Sequence, residues 1–135
     1  MKRKPTERYI RGRRCLRSVH GEQGVAVIDG VSALSPDLAK FVYENAYGDV
    51  FSRPGVDVKS RQIATVAALI ALGYARPQLR SHIRGALNVG WTKRQIVEII
   101  IQMTVYTGFP AALNALSVAN EVFKEHRGKN KSKRR

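Results

Sequence analysis

The sequence predicts an all-α protein, a single helical domain of five to six helices. Three observations carry that prediction. Apolar residues recur at helical spacing, as in Ile63, Val66, Ala67, Ile70 and Ala71. Helix-start signals stand before such runs, at Ser35-Pro36-Asp37, Asp57, Pro77, Thr92-Lys93-Arg94-Gln95 and Pro110. Glycines follow at Gly48, Gly73, Gly90 and Gly108, where a helix would stop. With 135 residues, 44% of them hydrophobic, the chain fits one domain with a packed core.

Taken in order, residues 1–6 read as a disordered basic N-terminus, residues 7–126 as the helical domain and residues 127–135 as a disordered basic tail. Ile10, Cys15, Leu16 and Val19 suggest a first helix from Glu7 to Val19. Gly21, Gly24 and Gly30 break the stretch after it, and Val25 to Ile28 could form a short extended piece without an obvious strand partner. Ser35 caps the next helix, with Pro36 at its first position, Asp37 at the positive end of the dipole, and a stop near Tyr47-Gly48. Arg53-Pro54-Gly55 is a turn, and Asp57 caps a helix that is apolar nearly all round, as a buried helix is. Pro77 begins the following helix, which Asn88 and Gly90 end, since both tolerate the left-handed conformation. Thr92 and Gln95 fit a capping box. The β-branched run IVEIIIQMTVYTG after them reads as helix from that box, its length and the stop at Gly108. Pro110 opens the last helix.

The net charge is +14 but unevenly placed. Residues 1–18 hold eight Lys or Arg and one acid, residues 124–135 hold seven and one, and the remainder holds nine and eight. The body is therefore nearly neutral, and non-specific nucleic-acid contact is expected only through the basic ends. A trusted helix-turn-helix spacing and interleaved aromatics and arginines are both missing. No window approaches 18 consecutive apolar residues, so no transmembrane span is expected, and the N-terminus lacks a signal-peptide apolar run. Cys15 stands alone, which excludes an intrachain disulfide framework and a Cys-x-x-Cys pair and makes a reducing, cytoplasmic setting the expectation.

The stretch LRSHIRGALNVGW at 79–91 stands out. His82 and Arg84 interrupt an apolar helical run, and Gly85 and Ala86, one turn on, line the face of His82 with small residues. A titratable group beside a small-walled gap is the pattern of a pocket; the alternative is a core histidine held by a backbone carbonyl. Glu98 is the one charge in its apolar run, with Gln95, Gln102 and Tyr106 alongside. It reads either as a solvated edge or an ion pair with Arg94, or as a carboxylate that orients His82 or a bound group.

In four segments the chain resembles the carboxymuconolactone decarboxylases, part of the superfamily that includes thiol alkylhydroperoxidases. These are ENAYGDVFSRPGVD at 44–57, KSRQIATVAALIALG at 59–73, LRSHIRGALNVGW at 79–91 and QIVEIIIQMTVYTGFPAALNAL at 95–116. The resemblance spans about Tyr9 to Phe123. It implies an alkylhydroperoxidase-like all-helical subunit that assembles into a ring, a trimer or hexamer. It also implies loss of carbon dioxide from a carboxylated muconolactone to give an enol-lactone in aromatic catabolism, with no metal or organic cofactor. The pattern departs at Gln78, where the family has glutamate, at Val89, often asparagine, and at Thr107, often cysteine. The two cysteines of the thiol-peroxidase branch, near Ala75 and Gln78, are missing. That chemistry is not expected, because it needs an attacking and a resolving thiol.

Decarboxylation leaves an electron pair that the lactone carbonyl can take up. It calls for a cation to anchor carboxylate, a donor for the oxyanion and an acid to protonate carbon. His82 is the candidate acid/base, Tyr106 the candidate oxyanion donor and Glu98 the candidate that fixes the tautomer of His82. Arg84 is the candidate carboxylate anchor, with Arg80 and Arg61 as alternatives and Asn88 as a further substrate contact. Each arginine reads equally as a structural ion pair. Positions 82 and 84 point about 200° apart on one helix, so both line one pocket only by reaching round it or across to a neighbouring subunit. The apolar content of residues 63–72 and 96–106 predicts a homo-oligomer. A related ring protein that acts on another small carboxylated or lactone substrate, or on none, is the competing reading.

Overall fold

The computed structural model describes residues 4–132 and, among them, is helical with no strand. The helices gather into two compact units, Met1–Arg61 and Gln62–Arg135.

The first unit begins with α1, Glu7–Leu34, capped by the Thr6 side chain, which accepts from the Tyr9 N–H at 3.1 Å. Of the three glycines expected to break this region only Gly21 does so, at φ 67°. Residues 25–28 are helical rather than extended, and Val25 is buried against Leu16, Tyr43 and Tyr47. With no strand to pair with, an extended segment leaves its backbone groups unmet, whereas a helix satisfies them locally. The short α2, Pro36–Phe41, starts at Ser35, whose hydroxyl accepts from the Leu38 N–H. It runs directly into a π-helical segment, Val42–Phe51, where the sequence suggests a stop near Tyr47-Gly48.

That segment packs on α1 backbone to backbone. A Cβ on Gly12 would sit 1.7 Å from the Tyr43 carbonyl oxygen, and one on Gly48 would sit 2.5 Å from that of Arg8. Arg13, before the Gly21 break, grips Asp29, after it, through two bonds of 2.6 and 2.8 Å. The buried Tyr43 hydroxyl donates to the same carboxylate at 2.9 Å. The Arg13 hydrogen bond holds the Asp29 carboxyl below its usual range, while burial, then the Asp29 bond, push the Tyr43 phenol up. Arg8 pairs with Asp49 and Glu44, and Arg17 with Glu22. Half of the basic residues before position 19 thus serve this unit, as Arg11 also donates to the Gly48 carbonyl.

Helix α3, Val58–Leu72, is capped as expected, Asp57 accepting from the Ser60 N–H at 2.8 Å. It is not buried all round. Gln62, Val66 and Ile70 face inward, whereas Ala64, Ala68 and Leu72 are exposed. Alanines supply the apolar count without demanding burial on every side. Gly73, at φ 77°, ends it.

In the second unit α4 is Arg76–Asn88 and α5 is Lys93–Ser132. Gly90 alone takes the left-handed conformation after α4, at φ 104°; Asn88 does not. The capping box is present in both directions: the Gln95 N–H donates to the Thr92 hydroxyl at 3.1 Å and the Thr92 N–H to the Gln95 amide oxygen at 3.0 Å. The β-branched run is helical, and Gly108 (φ 81°) with Pro110 divides α5 where two helices are expected. By length and composition Lys93–Lys129 is apolar enough to cross a membrane. The break at Gly108 and the charges Glu121, Lys124 and Glu125 interrupt it as a continuous apolar rod. The helix extends through residues 127–132, part of the expected disordered tail, since each further residue adds one helical bond. Residues 1–3 and 133–135 of the expected disordered ends lie outside the described residues. The core joins Val66 and Ile70 of α3, Leu79, Ile83 and Ala86 of α4, and Ile96, Ile100, Met103, Ala115 and Val122 of α5.

Candidate functional site

His82 sits mid-way along α4, half-buried, and meets Gln62 of α3. The Gln62 amide nitrogen lies 3.0 Å from His82 Nδ1 and donates to the His82 carbonyl oxygen at 2.8 Å. Gln62 is 0% exposed, and its amide oxygen is the one buried side-chain polar atom without a hydrogen-bond partner among the described residues. The bond to the carbonyl assigns the amide, because the amide oxygen has no hydrogen to donate to it. Nδ1 then faces a donor, an arrangement that suits an imidazole carrying its proton on Nε2.

Gln62 is missing from the expected site. Its signal lies in the spacing: positions 62, 66 and 70 share one helical face, and a lone polar residue in line with two buried aliphatic ones needs a partner. The neighbour of Nδ1 is this amide, where the sequence suggests Glu98. Glu98 itself is exposed on α5, and Tyr106, on the same helix, is 75% exposed.

The arginines of α4 are committed elsewhere. Arg80 pairs with both Glu121 and Glu125 near the end of α5, and Arg84 donates to Glu125 at 3.0 Å. Spaced one turn apart, they face α5 while His82 meets α3, as their helical angle requires. Arg61, in the first unit, donates to the Val56 carbonyl at 2.9 Å and that of Arg53 at 3.3 Å, clamping the connector before α3. Asn88 is exposed at the end of α4. Gly85 and Ala86, expected to wall a gap, are buried, Ala86 within the apolar core. An open groove of about 510 Å³ runs instead along α5, lined by Val97, Leu113, Leu116, Ser117, Asn120 and Phe123.

The first unit holds a second buried polar pair that sequence reasoning gave no sign of. His20 Nε2 and the Tyr47 hydroxyl are 2.8 Å apart, and burial pushes the Tyr47 phenol up. Burial likewise raises the nearby Cys15 thiol, which keeps it in the unreactive protonated form. Among the described residues no cluster of three or more His, Cys, Asp or Glu is arranged to hold a metal.

A sequence model of the carboxymuconolactone decarboxylase family matches residues 36–121, a span that contains Gln62, His82 and every other residue of the expected site. The chain is 36% identical over 120 residues to the 4-carboxymuconolactone decarboxylase of Acinetobacter baylyi, covering 88% of this chain and 89% of that protein. It is 41% identical over 93 residues to an uncharacterised 15.0 kDa protein of Paracoccus denitrificans, covering 68% of this chain and 69% of that protein. Over 95 residues it is 34% identical to the nitrosuccinic acid decarboxylase of Metarhizium robertsii, covering 70% and 66%.

Proposed function

Because the chain belongs to the carboxymuconolactone decarboxylase family, we propose that it is a carboxy-lyase that removes carbon dioxide from a carboxylated muconolactone to give an enol-lactone. The observation that carries this reading is its likeness, over most of its length, to a protein named for that reaction. A second relative is named for loss of carbon dioxide from nitrosuccinic acid, so the shared element is a small carboxylated substrate whose departing carboxylate leaves an electron pair to be accommodated.

In the proposed reaction the bond between carbon and the departing carboxylate breaks and the pair passes to the lactone carbonyl oxygen. A proton from water then completes the carbon, and the hydroxide formed takes up carbon dioxide as bicarbonate. The lactone is its own electron sink, so the chemistry calls on neither a metal nor an organic cofactor. The His82 Nε2–H supplies the hydrogen bond to the developing oxyanion. An arginine anchors the carboxylate by paired bonds; the candidates are Arg61 and, reaching round the helix or across from a neighbouring subunit, Arg80 and Arg84. A substrate at Arg80 or Arg84 competes with Glu121 and Glu125 for the same donors.

The test is an absorbance assay with 4-carboxymuconolactone beside related lactones and nitrosuccinate. Consumption of the carboxylated lactone in preference to the others is the expected result. Preferential turnover of nitrosuccinate replaces the lactone with a non-cyclic acid, and turnover of none overturns the enzymatic reading.

The protein is also proposed to assemble as a ring homo-oligomer. Val105 is 78% and Phe109 70% exposed, and Ile101 and Leu113 continue an apolar face along α5 beside Tyr106. Such a face favours burial against another surface. Light scattering at micromolar concentration is expected to give a trimer or hexamer; a monomer contradicts the proposal.

A further inference from the structure

We propose that Gln62 is a positioning residue that locks His82 as its Nε2–H tautomer, so that His82 meets its substrate as a neutral hydrogen-bond donor rather than as a base. The inference deepens the proposed decarboxylase reading and rests on it for the identity of the reaction.

The Gln62 amide nitrogen, which carries two hydrogens, lies 2.8 Å from the His82 carbonyl oxygen and 3.0 Å from Nδ1. Turning the amide over would set its oxygen against the carbonyl oxygen, acceptor against acceptor. The orientation is therefore fixed from the backbone of α4, and the ring inherits its tautomer from it. The amide oxygen, fully enclosed, has no hydrogen-bond partner. A residue chosen for packing alone would not leave such an atom unmet, since an apolar side chain of the same shape avoids that cost. The position accepts this cost, and what it receives is a defined imidazole.

The chemistry fits that imidazole. As carbon dioxide leaves, negative charge builds on the lactone oxygen, and a preorganised neutral N–H stabilises it without having to give up its proton. A carboxylate at position 62 would do the reverse. It would accept from Nδ1–H and turn Nε2 into an acceptor aimed at an oxyanion.

The experiment uses the full chain with ¹⁵N-labelled histidine. Its three histidines are His20, His82 and His126, and the His82 signals are identified by their loss in His82→Ala. Long-range ¹H–¹⁵N spectra are expected to show a pyridine-type Nδ1 and a pyrrole-type Nε2 for His82. In Gln62→Met, close in size, the two tautomers mix; in Gln62→Glu the proton moves to Nδ1. Turnover falls in both variants by roughly tenfold or more in kcat, with KM changed less, because the charge that the N–H meets develops mainly in the transition state. A wild-type ring with its proton on Nδ1, or an unchanged tautomer in both variants, overturns the inference. The spectra are recorded without substrate, so the expected tautomer in a protein inactive on the lactone supports the role of Gln62 while overturning the proposed reaction.

Discussion

Replacing His82 with alanine is expected to lower turnover of the carboxylated lactone at least about 100-fold while the protein stays folded. The imidazole supplies the donor at the oxyanion, and loss of such a donor falls mainly on kcat because the charge it meets exists only in the transition state. The structural consequence is smaller. Gln62 keeps its bond to the carbonyl of residue 82, which belongs to the backbone, and forfeits only the bond to Nδ1. One lost bond with a buried donor left unmet costs about 1–3 kcal/mol, so the thermal midpoint drops without loss of the helical signal. Steady-state kinetics beside circular dichroism separates the two effects. Full activity in the variant removes His82 from the chemistry.

The second large effect is structural. Gly12→Ala is expected to destabilise the protein by about 3 kcal/mol, at the upper end for overpacking. The added carbon would sit 1.7 Å from the Tyr43 carbonyl oxygen, 2.7 Å from its carbon and 2.8 Å from the Gly48 nitrogen. All three are backbone atoms, so no rotamer change relieves the clash and α1 must separate from the π-helical segment. That separation loosens Tyr43 and its bond to Asp29. Gly30→Ala is the control: it lies in the same helix, with nothing within 4 Å of its added carbon. There alanine is expected to stabilise by about 0.5–1 kcal/mol, since glycine is a poor helix former. Urea midpoints moving in opposite directions check the pair; equal shifts would show that the close approach at Gly12 has no energetic weight.

The elements legible in the sequence are those that neighbouring residues decide. The Thr92–Gln95 box, the Asp57 cap and the break at Gly108-Pro110 each depend on a few consecutive residues, and each stands where the sequence puts it. What stayed hidden depends on distant partners. Gly12 and Gly48 carry no local sign that one backbone crosses another, and Gly48 reads as a helix stop although it lies inside the π-helical segment. Residues 25–28 read as extended because glycines flank them, yet burial of Val25 against the two tyrosines settles the matter from outside the segment.

The candidate site divides in the same way. His82 is visible as a titratable group in an apolar helix. The orientation of Arg80 and Arg84 follows from helical geometry once Glu121 and Glu125 are known to face them. Glu98 and Tyr106 share a helix side in the sequence, but periodicity alone does not say whether that side meets the core or the solvent, and both prove exposed. Gln62 was readable only by treating a polar residue on an aliphatic face as a question.

The most direct measurement is release of labelled carbon dioxide from carboxyl-labelled 4-carboxymuconolactone, run in parallel with wild-type protein and His82→Ala. Stoichiometric release by the wild type, falling at least about 100-fold in the variant, is the predicted result. No release above the uncatalysed rate by the wild type, or equal release by both proteins, would contradict a decarboxylation centred on His82.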